Sequence, residues 1–318
     1  MALQLQVDIA PRAIEQENDS GFLFSAGLAA HLYRDHEELQ FLNIATPQFQ
    51  RSIPLIVKNG LPGKRIVMPQ YMPYFSLDFP QDESLSTARQ TSVARHISTS
   101  IAETISAEKP ILAELNFLPF YWLPFQWQGF EVKPRITYRL ETFHTTTESL
   151  INGFRDNIRR QIRKSEKQNA VSTAETSQTL FDLNRDSYQR KGDDHPFDPA
   201  ILERLHQFLN KNHCGEILEI RDASGETIAA ALFAWDQNRL YYLTGGVRES
   251  DKSSGAMAHV LWEGIQLAHS KALCFDFEGS MNPGIEKFFS TFGGTPYTYF
   301  QVRKSNSKLY KLYQNLRS

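Results

Sequence analysis

Short apolar runs bounded by Gly, Pro and Asn alternate along this chain with longer stretches in which apolar residues recur every three or four positions. The short runs predict strands and the longer stretches amphipathic helices, because side chains repeat every two residues along a strand and about every 3.6 around a helix. From Glu38 to Phe79, "ELQFLNIA", "RSIPLIVKNG" and "KRIVMPQYMPYFSLDF" predict three strands, with Pro69 and Pro73 limiting how far the last can pair. Val93, Ile97, Ile101 and Ile105 then predict a helix capped by Ser84 and closed by Pro110. An aromatic, proline-containing segment follows, with Phe120, Tyr121, Trp122, Phe125 and Trp127 expected to form a packed floor, and leads into a strand ending near Leu140. The polar stretch "ETFHTTTES" then predicts a boundary between lobes 1–143 and 144–318.

The second half opens on a predicted helix, "TESLINGFRDNIRRQIRKSEKQN", whose buried stripe is Ile151, Phe154, Ile158 and Ile162. A short strand and two helices follow, the second opening on Asp198 as N-cap and Pro199 as first helical residue. Three antiparallel strands, "GEILEIRD", "ETIAAALFAWD" and "RLYYLTGG", are joined by tight turns. A Gly/Ser loop, the helix "AMAHVLWEGIQLAHSK", the strand "LCFDFEG", a short helix "PGIEKFFSTF", the strand "PYTYFQVR" and a terminal helix complete the order. Phe288, Phe289 and Phe292 stand at helical spacing and read as core. The fold class is α/β of the α+β type, and the first half repeats a weaker version of the same strand and turn pattern.

Composition narrows the class. With 41% hydrophobic and 22% charged residues in 318, the chain has apolar material for two cores, which excludes a disordered protein. A net charge of -2 leaves any affinity for nucleic acid or phosphate to a local patch. One such patch exists from Arg155 to Lys167, where Arg155, Arg159, Arg160, Arg163, Lys164 and Lys167 outnumber Asp156 and Glu166 six to two. The two cysteines, Cys214 and Cys274, sit in no CxxC or Cys/His cluster, and with no apolar membrane-length run the chain is expected to be cytoplasmic. The nine histidines are scattered, His31 and His36 being the nearest pair, and no ligand set stands at usable spacing, so no metal is expected.

The chemistry concentrates in "FDFEGSMNPGIEKFFSTFGG". Asp276 and Glu278 stand at i and i+2 of a strand and share a face, while Phe275 and Phe277 share the other. An acidic strand face borders either water or a cleft.

The element order of the second half matches the GNAT acyltransferase fold. The stretches "MPQYMPYFSLDF", "LPFQWQGFEVKPRITYRLE", "FRDNIRRQIRKSEKQNAV" and "YYLTGGVRESDKSSGAMAHVLWEGI", with the acidic one above, resemble the FemAB-like tandem-lobe branch of that superfamily, which includes the peptidoglycan bridge-forming aminoacyltransferases. The resemblance implies two GNAT-like lobes, each a mixed, mainly antiparallel sheet flanked by helices. It also implies transfer of an acyl group to an amine, from acyl-coenzyme A or aminoacyl-tRNA.

In such a fold the strands carrying Gly245 and Glu278 splay apart and free backbone N–H groups for an acyl carbonyl. Gly245, Gly246, Arg248, Lys252, Ser253, Ser254, Gly255 and Ala256 become the donor-binding candidates, at the strand end and before a helix whose N-terminus can hold a phosphate. Glu278 is the candidate general base and Asp276 its orienter. Tyr71, Tyr74, Arg135, Ser280 and Asn282 are the acceptor-side candidates, for a small-molecule or cell-wall-precursor amine. The donor loop has one glycine where the family's pyrophosphate turn has two. Acyl-coenzyme A is therefore expected narrowly, aminoacyl-tRNA held by the basic helix is the alternative, and a catalytically silent binding module is the third reading.

Overall fold

The computed structural model describes residues 5–14, 24–36, 38–46, 50–61, 63–77, 85–189, 192 and 195–306. They form two compact units, one made of the described residues up to Arg135 and from Thr298 onward, the other of Ile136–Tyr297. In the first unit β1 (Gln6–Ala10), α1 (Ala26–Leu32), β2 (Leu39–Ala45), β3 (Gln50–Lys58), β4 (Arg65–Val67), α2 (Thr87–Ala107), β5 (Leu112–Phe117) and α3 (Leu123–Trp127) lead into β6 (Glu131–Glu141). The second unit adds α4 (Thr147–Asn152), α5 (Asp156–Glu166), β7 (Ala170–Thr173), α6 (Gln178–Gln189), α7 (Pro199–Lys211), β8 (Gly215–Arg221), β9 (Thr227–Trp235) and β10 (Arg239–Val247). It ends with α8 (Ala256–Ser270), β11 (Cys274–Asp276) and α9 (Pro283–Phe289), and β12 (Thr295–Ser305) returns the chain to the first unit.

Each unit arranges its strands alike. The first runs β1-β2-β3-β4-β5-β12 and the second β7-β8-β9-β10-β11-β6. In both a four-strand antiparallel meander is followed by one parallel pair, β4 with β5 and β10 with β11, across an intervening helix, α2 or α8. The sixth strand, β12 or β6, closes the order antiparallel to its neighbour. The chain changes unit inside β6 and β12 rather than in the polar segment at 143/144, because β6 continues unbroken to Glu141.

Several elements differ from the sequence pattern for local reasons. The single helix expected from Thr147 is two, α4 and α5, parted at Gly153 where the Arg155 N–H donates to the Thr291 carbonyl instead of continuing the helix. The strand expected through Phe79 stops at Val67; beyond Pro69 and Pro73, among the described residues, Phe75 alone bridges to Phe117, and Asp78 and Phe79 lie outside them. Ser84 lies outside the described residues and Ser86 is the N-cap of α2, while the expected terminal helix also lies outside them. Strand β1 and helices α1 and α3 are additions. Of the aromatic floor Phe125 is fully buried, whereas Trp127 is 62% exposed. Other expectations are met: Asp198 caps α7 by accepting from the Ala200 N–H, with Pro199 behind it.

The core of the second unit joins α5, β9, α8 and the β11 to α9 segment. Phe154, Ile158 and Ile162 of the predicted stripe pack with Trp262, Phe289 and Phe292, and Phe275 and Phe277 lie ring to ring beneath the sheet. Each such ring buried contributes about 1.5–3 kcal/mol. Among the described residues no helix is long and apolar enough to cross a membrane.

Candidate active site

The site grows out of a short pairing. Strands β10 and β11 run in parallel register only over Arg239–Tyr241 and Cys274–Asp276. Beyond that β10 continues to Val247 along β9 alone, and its register slips between Tyr242 and Thr244, making Leu243 a bulge residue outside the ladder. On the other side Phe277 donates its N–H to the Tyr138 carbonyl of β6, which draws the chain away from β10. The two strands therefore part at Asp276, and backbone groups facing the gap are released from the sheet.

Glu278 stands at the mouth of that gap in an unusual backbone state. Its φ is 55° and that of Gly279 is 69°, so two successive residues are left-handed. For a residue with a Cβ this costs on the order of 1–3 kcal/mol, a strain found where surrounding structure imposes it. Here Asp276 imposes it: one carboxylate oxygen accepts the Glu278 N–H at 2.9 Å and the Thr137 hydroxyl at 2.6 Å, and the other accepts Arg139 Nε at 2.8 Å. Asp276 is fully buried and its Arg139 partner, 12% exposed, lies over the Tyr297 ring with 3.4 Å to the centroid.

Glu278 itself has no such partner. Its Oε1 is buried without a hydrogen bond, and burial, reinforced by the nearby Asp276 charge, pushes its carboxyl well above the usual carboxylate range. The two carboxylates that share a strand face in the sequence thus have opposite fates. One is locked by a cation and two further donors; the other is left able to take a proton.

Tyr242, one residue past the last parallel pair, completes the local chemistry. Burial and then the charge of Glu278 push its hydroxyl pKa up, and its ring packs on Phe233 and Phe289. Gly245 shares that side of β10, since a Cβ there would stand 2.5 Å from the Tyr242 hydroxyl and 3.0 Å from Met257 of α8. Gly246 faces the other side, against the α6 backbone at Leu183 and Asn184. Asn184 bonds Thr244 Oγ1 at 3.1 Å and the Gly245 carbonyl at 2.8 Å, and its Oδ1 accepts from His195 Nε2 at 2.8 Å. Burial, with Arg185 adding to it, holds His195 below its ordinary imidazole value. Helix α6 and the His195 segment so brace the bulge from behind.

Comparisons with known proteins bear on this geometry. Residues 152–289 match the family model described as the acetyltransferase (GNAT) domain. The matched residues lie within the second unit. Over both lobes the chain is similar to the crystal structure of FemX, with 14% identity, 93% of this chain and 95% of that one covered, and a TM-score of 0.63. It is also similar to the C-terminal domain of a lysylphosphatidylglycerol synthetase from Agrobacterium fabrum (10% identity, 90% of each chain, TM-score 0.54). A tandem GNAT protein from the clavulanic acid biosynthesis pathway matches at 8% identity over 94% of this chain and 98% of that one, with a TM-score of 0.51. No curated protein matches the sequence. The fold is the tandem GNAT fold of the FemAB-like proteins, as the sequence motifs implied.

Within the GNAT lobe the donor candidates divide. Ser253, Ser254, Gly255 and Ala256 do form the approach to the α8 N-terminus, with the Ser254 hydroxyl accepting from the Ala256 N–H at 3.1 Å. Gly255, at φ 88°, is required by packing, because a Cβ there would meet the Gln161 carbonyl of α5 at 2.3 Å. The basic helix is therefore seated directly on this loop, and Lys164 Nζ reaches the Ser253 carbonyl at 3.3 Å. Arg248 departs from expectation: its three guanidinium nitrogens bind Asp251, Glu226 and Asp222, which fastens the β8–β9 turn to the loop. Those carboxylates take up the charge a phosphate would need; Asp222 is itself held down to about 2 by Ser224 and Arg248. Lys252 pairs with Glu249 at 2.8 Å. Gly246 is required by its close contact with α6.

The acceptor candidates fare differently. In the GNAT lobe Asn282 is the N-cap of α9, accepting from Gly284 and Ile285, and Ser280 accepts the Asn282 N–H at 3.1 Å. In the N-terminal lobe Tyr74 is fully buried against Phe24 and Tyr299, and Tyr71 is 8% exposed at φ 60°, so both are core rings there. Arg135 donates to the Gln301 side chain. The sequence reading missed Tyr242, the Leu243 bulge and the Thr137–Arg139 clamp. The signal available was a polar residue, Thr244, interrupting an apolar strand before two glycines.

Gly279 offers a direct check on the turn that presents Glu278. A Cβ there would lie 2.0 Å from the Ile136 carbonyl and 2.7 Å from the Thr137 Cα, both backbone atoms, at a positive φ. Gly279→Ala is expected to destabilise the lobe by about 1–3 kcal/mol or more. Denaturant unfolding of the variant measures this, and an unchanged midpoint would contradict the turn geometry.

Proposed function

We propose that the chain transfers an acyl group from acyl-coenzyme A directly to an amine acceptor, with Glu278 as general base. The observation that carries this reading is the half-buried Glu278, whose Oε1 is buried without a hydrogen bond where β10 and β11 part. An ammonium acceptor must lose a proton before its nitrogen attacks a thioester carbonyl, and a carboxyl of raised pKa in a water-poor gap is suited to take it. Attack forms the C–N bond and places negative charge on the carbonyl oxygen, which N–H groups around the Leu243 bulge would receive. Collapse breaks the C–S bond and leaves a thiolate. Tyr242, whose hydroxyl pKa is raised and which is therefore protonated at neutral pH, would donate to it. Ser253, Ser254 and Ala256 at the start of α8, beside the cations of α5, would hold the donor phosphates.

A second reading has its own support. The basic face of α5 abuts the donor loop, and the tandem fold is shared with FemX, which suits an aminoacyl-tRNA donor and a peptidoglycan-precursor amine. Thermal-shift titration with acetyl-coenzyme A, longer acyl-coenzyme A species and charged tRNA separates the readings. Stabilisation by an acyl-coenzyme A, lost in Ser253→Glu, is the expected result. Ser253 is exposed, so this substitution adds charge at the loop without disturbing the core. A response to tRNA alone would select the second reading, and no response to any donor would leave a silent binding module.

A further inference from the structure

We propose that Glu166 of α5 and His259 and Glu263 of α8 form a binding site for one divalent cation of the zinc class, joining the two helices behind the donor loop. Their ligating atoms all lie within 4.8 Å of one another. His259 Nε2 stands 3.4 Å from Glu263 Oε1, and two ligands of one tetrahedral ion with bonds of about 2.0–2.2 Å are separated by about 3.3–3.5 Å. The i,i+4 spacing of His259 and Glu263 places both on one face of α8, and Glu166 closes the set from the last residue of α5.

Two further features point to a cation. The His259 ring is 2% exposed, and its Nδ1 lies 3.0 Å from the Ser165 hydroxyl, itself fully buried and bonded by Asn169 Nδ2 at 2.9 Å. A ligand imidazole is usually held in this way, one nitrogen fixed by a neighbouring polar group and the other turned to the metal. The second feature is the direction of Glu166. It belongs to a segment with six basic residues, yet among the described residues it makes no ion pair and its carboxylate lies beside that of Glu263. Two carboxylates drawn together at an imidazole repel each other unless a cation sits among them. Glu263 is further oriented by Gln266 Nε2 at 3.1 Å.

Three protein ligands leave a fourth position for water, and the exposed Glu166 gives an entry path. The cation would anchor the end of α5, the helix whose Gln161 carbonyl bears on Gly255 and whose Lys164 reaches Ser253. Its role is to fix the donor loop rather than to touch the reacting atoms.

The test is calorimetric titration of chelator-treated full-length protein with zinc chloride, paired with the visible spectrum of the cobalt(II) form. One equivalent should bind, with the absorption of a four-coordinate N/O site. Glu166→Gln and Glu263→Gln, which keep shape and remove charge, should each weaken binding about tenfold or more, and His259→Gln should abolish it. Should the histidine variant fail to fold, the exposed Glu166 position decides. Absence of saturable binding, or equal affinity in Glu166→Gln and the parent protein, would overturn the proposal and leave His259 and Glu263 as a helix-surface pair.

Discussion

Glu278→Gln is expected to lower kcat by about 10²–10⁴ while leaving donor affinity intact, the range associated with loss of a positioned general base. The rising limb of the pH–rate profile should disappear with it. In the parent protein that limb reports deprotonation of Glu278 and lies above the ordinary carboxylate range, since burial and then Asp276 raise this group. The same substitution has an opposite effect on stability. A carboxyl whose folded pKa exceeds its unfolded value contributes stability that is complete below the unfolded pKa and is lost as pH rises through the folded one. Above that folded pKa the parent therefore carries a partly buried charge that glutamine does not. Glu278→Gln should melt higher than the parent at pH 8 and equally at pH 4. An inactive variant with no gain in melting temperature at pH 8 would mean that the carboxylate is solvated in the folded protein. A fully active one would remove Glu278 from the mechanism.

Arg139→Ala is expected to give the largest loss of stability of any single substitution near the site, about 3–5 kcal/mol, because it leaves the fully buried Asp276 carboxylate without its cation. The loss extends to function. Asp276 also holds the Glu278 N–H, so a displaced Asp276 frees the left-handed turn and the base it presents. Asp276→Asn keeps the volume and still accepts a hydrogen bond, so it should cost less stability than Arg139→Ala while still lowering kcat. Chemical denaturation together with steady-state rates on both variants checks the pair. Equal and small effects would mean the clamp is replaceable by water.

The sequence carries the fold of the second lobe well because each of its elements declares itself locally. The apolar runs of β8, β9 and β10, the Asp198-Pro199 start of α7 and the Asn282-Pro283 start of α9 appear in the structure as read. Period two places the acidic pair on one strand face, but β11 ends at Asp276 and Glu278 lies in the left-handed turn beyond it, held by its N–H bond to Asp276. What the pattern could not show were interactions made across the chain. The break between α4 and α5 depends on a hydrogen bond to Thr291, far downstream. Arg248 looked like a phosphate ligand until the β8–β9 turn supplied Asp222 and Glu226. Gly255 looked like a phosphate turn until α5 arrived against it. Tyr71 and Tyr74 show the same limit, for a tyrosine beside proline has no local mark that tells a cleft ring from a core ring. Glu166 and His259 lie on separate helices with most of the lobe's sheet between them in sequence, so spacing rules for metal ligands pass over them.

The strand exchange between the two halves of the chain sets an order of birth. The second unit contains all its strands within a continuous stretch once β6 has emerged, so it can complete during synthesis as soon as α9 is made. The first unit must hold the edge of β5 open until β12 leaves the ribosome. The part of the protein translated first is therefore the part that matures last. A nascent chain stalled between Phe117 and Phe300 presents the unpaired edge of β5, the kind of surface that chaperones cover and that aggregation exploits.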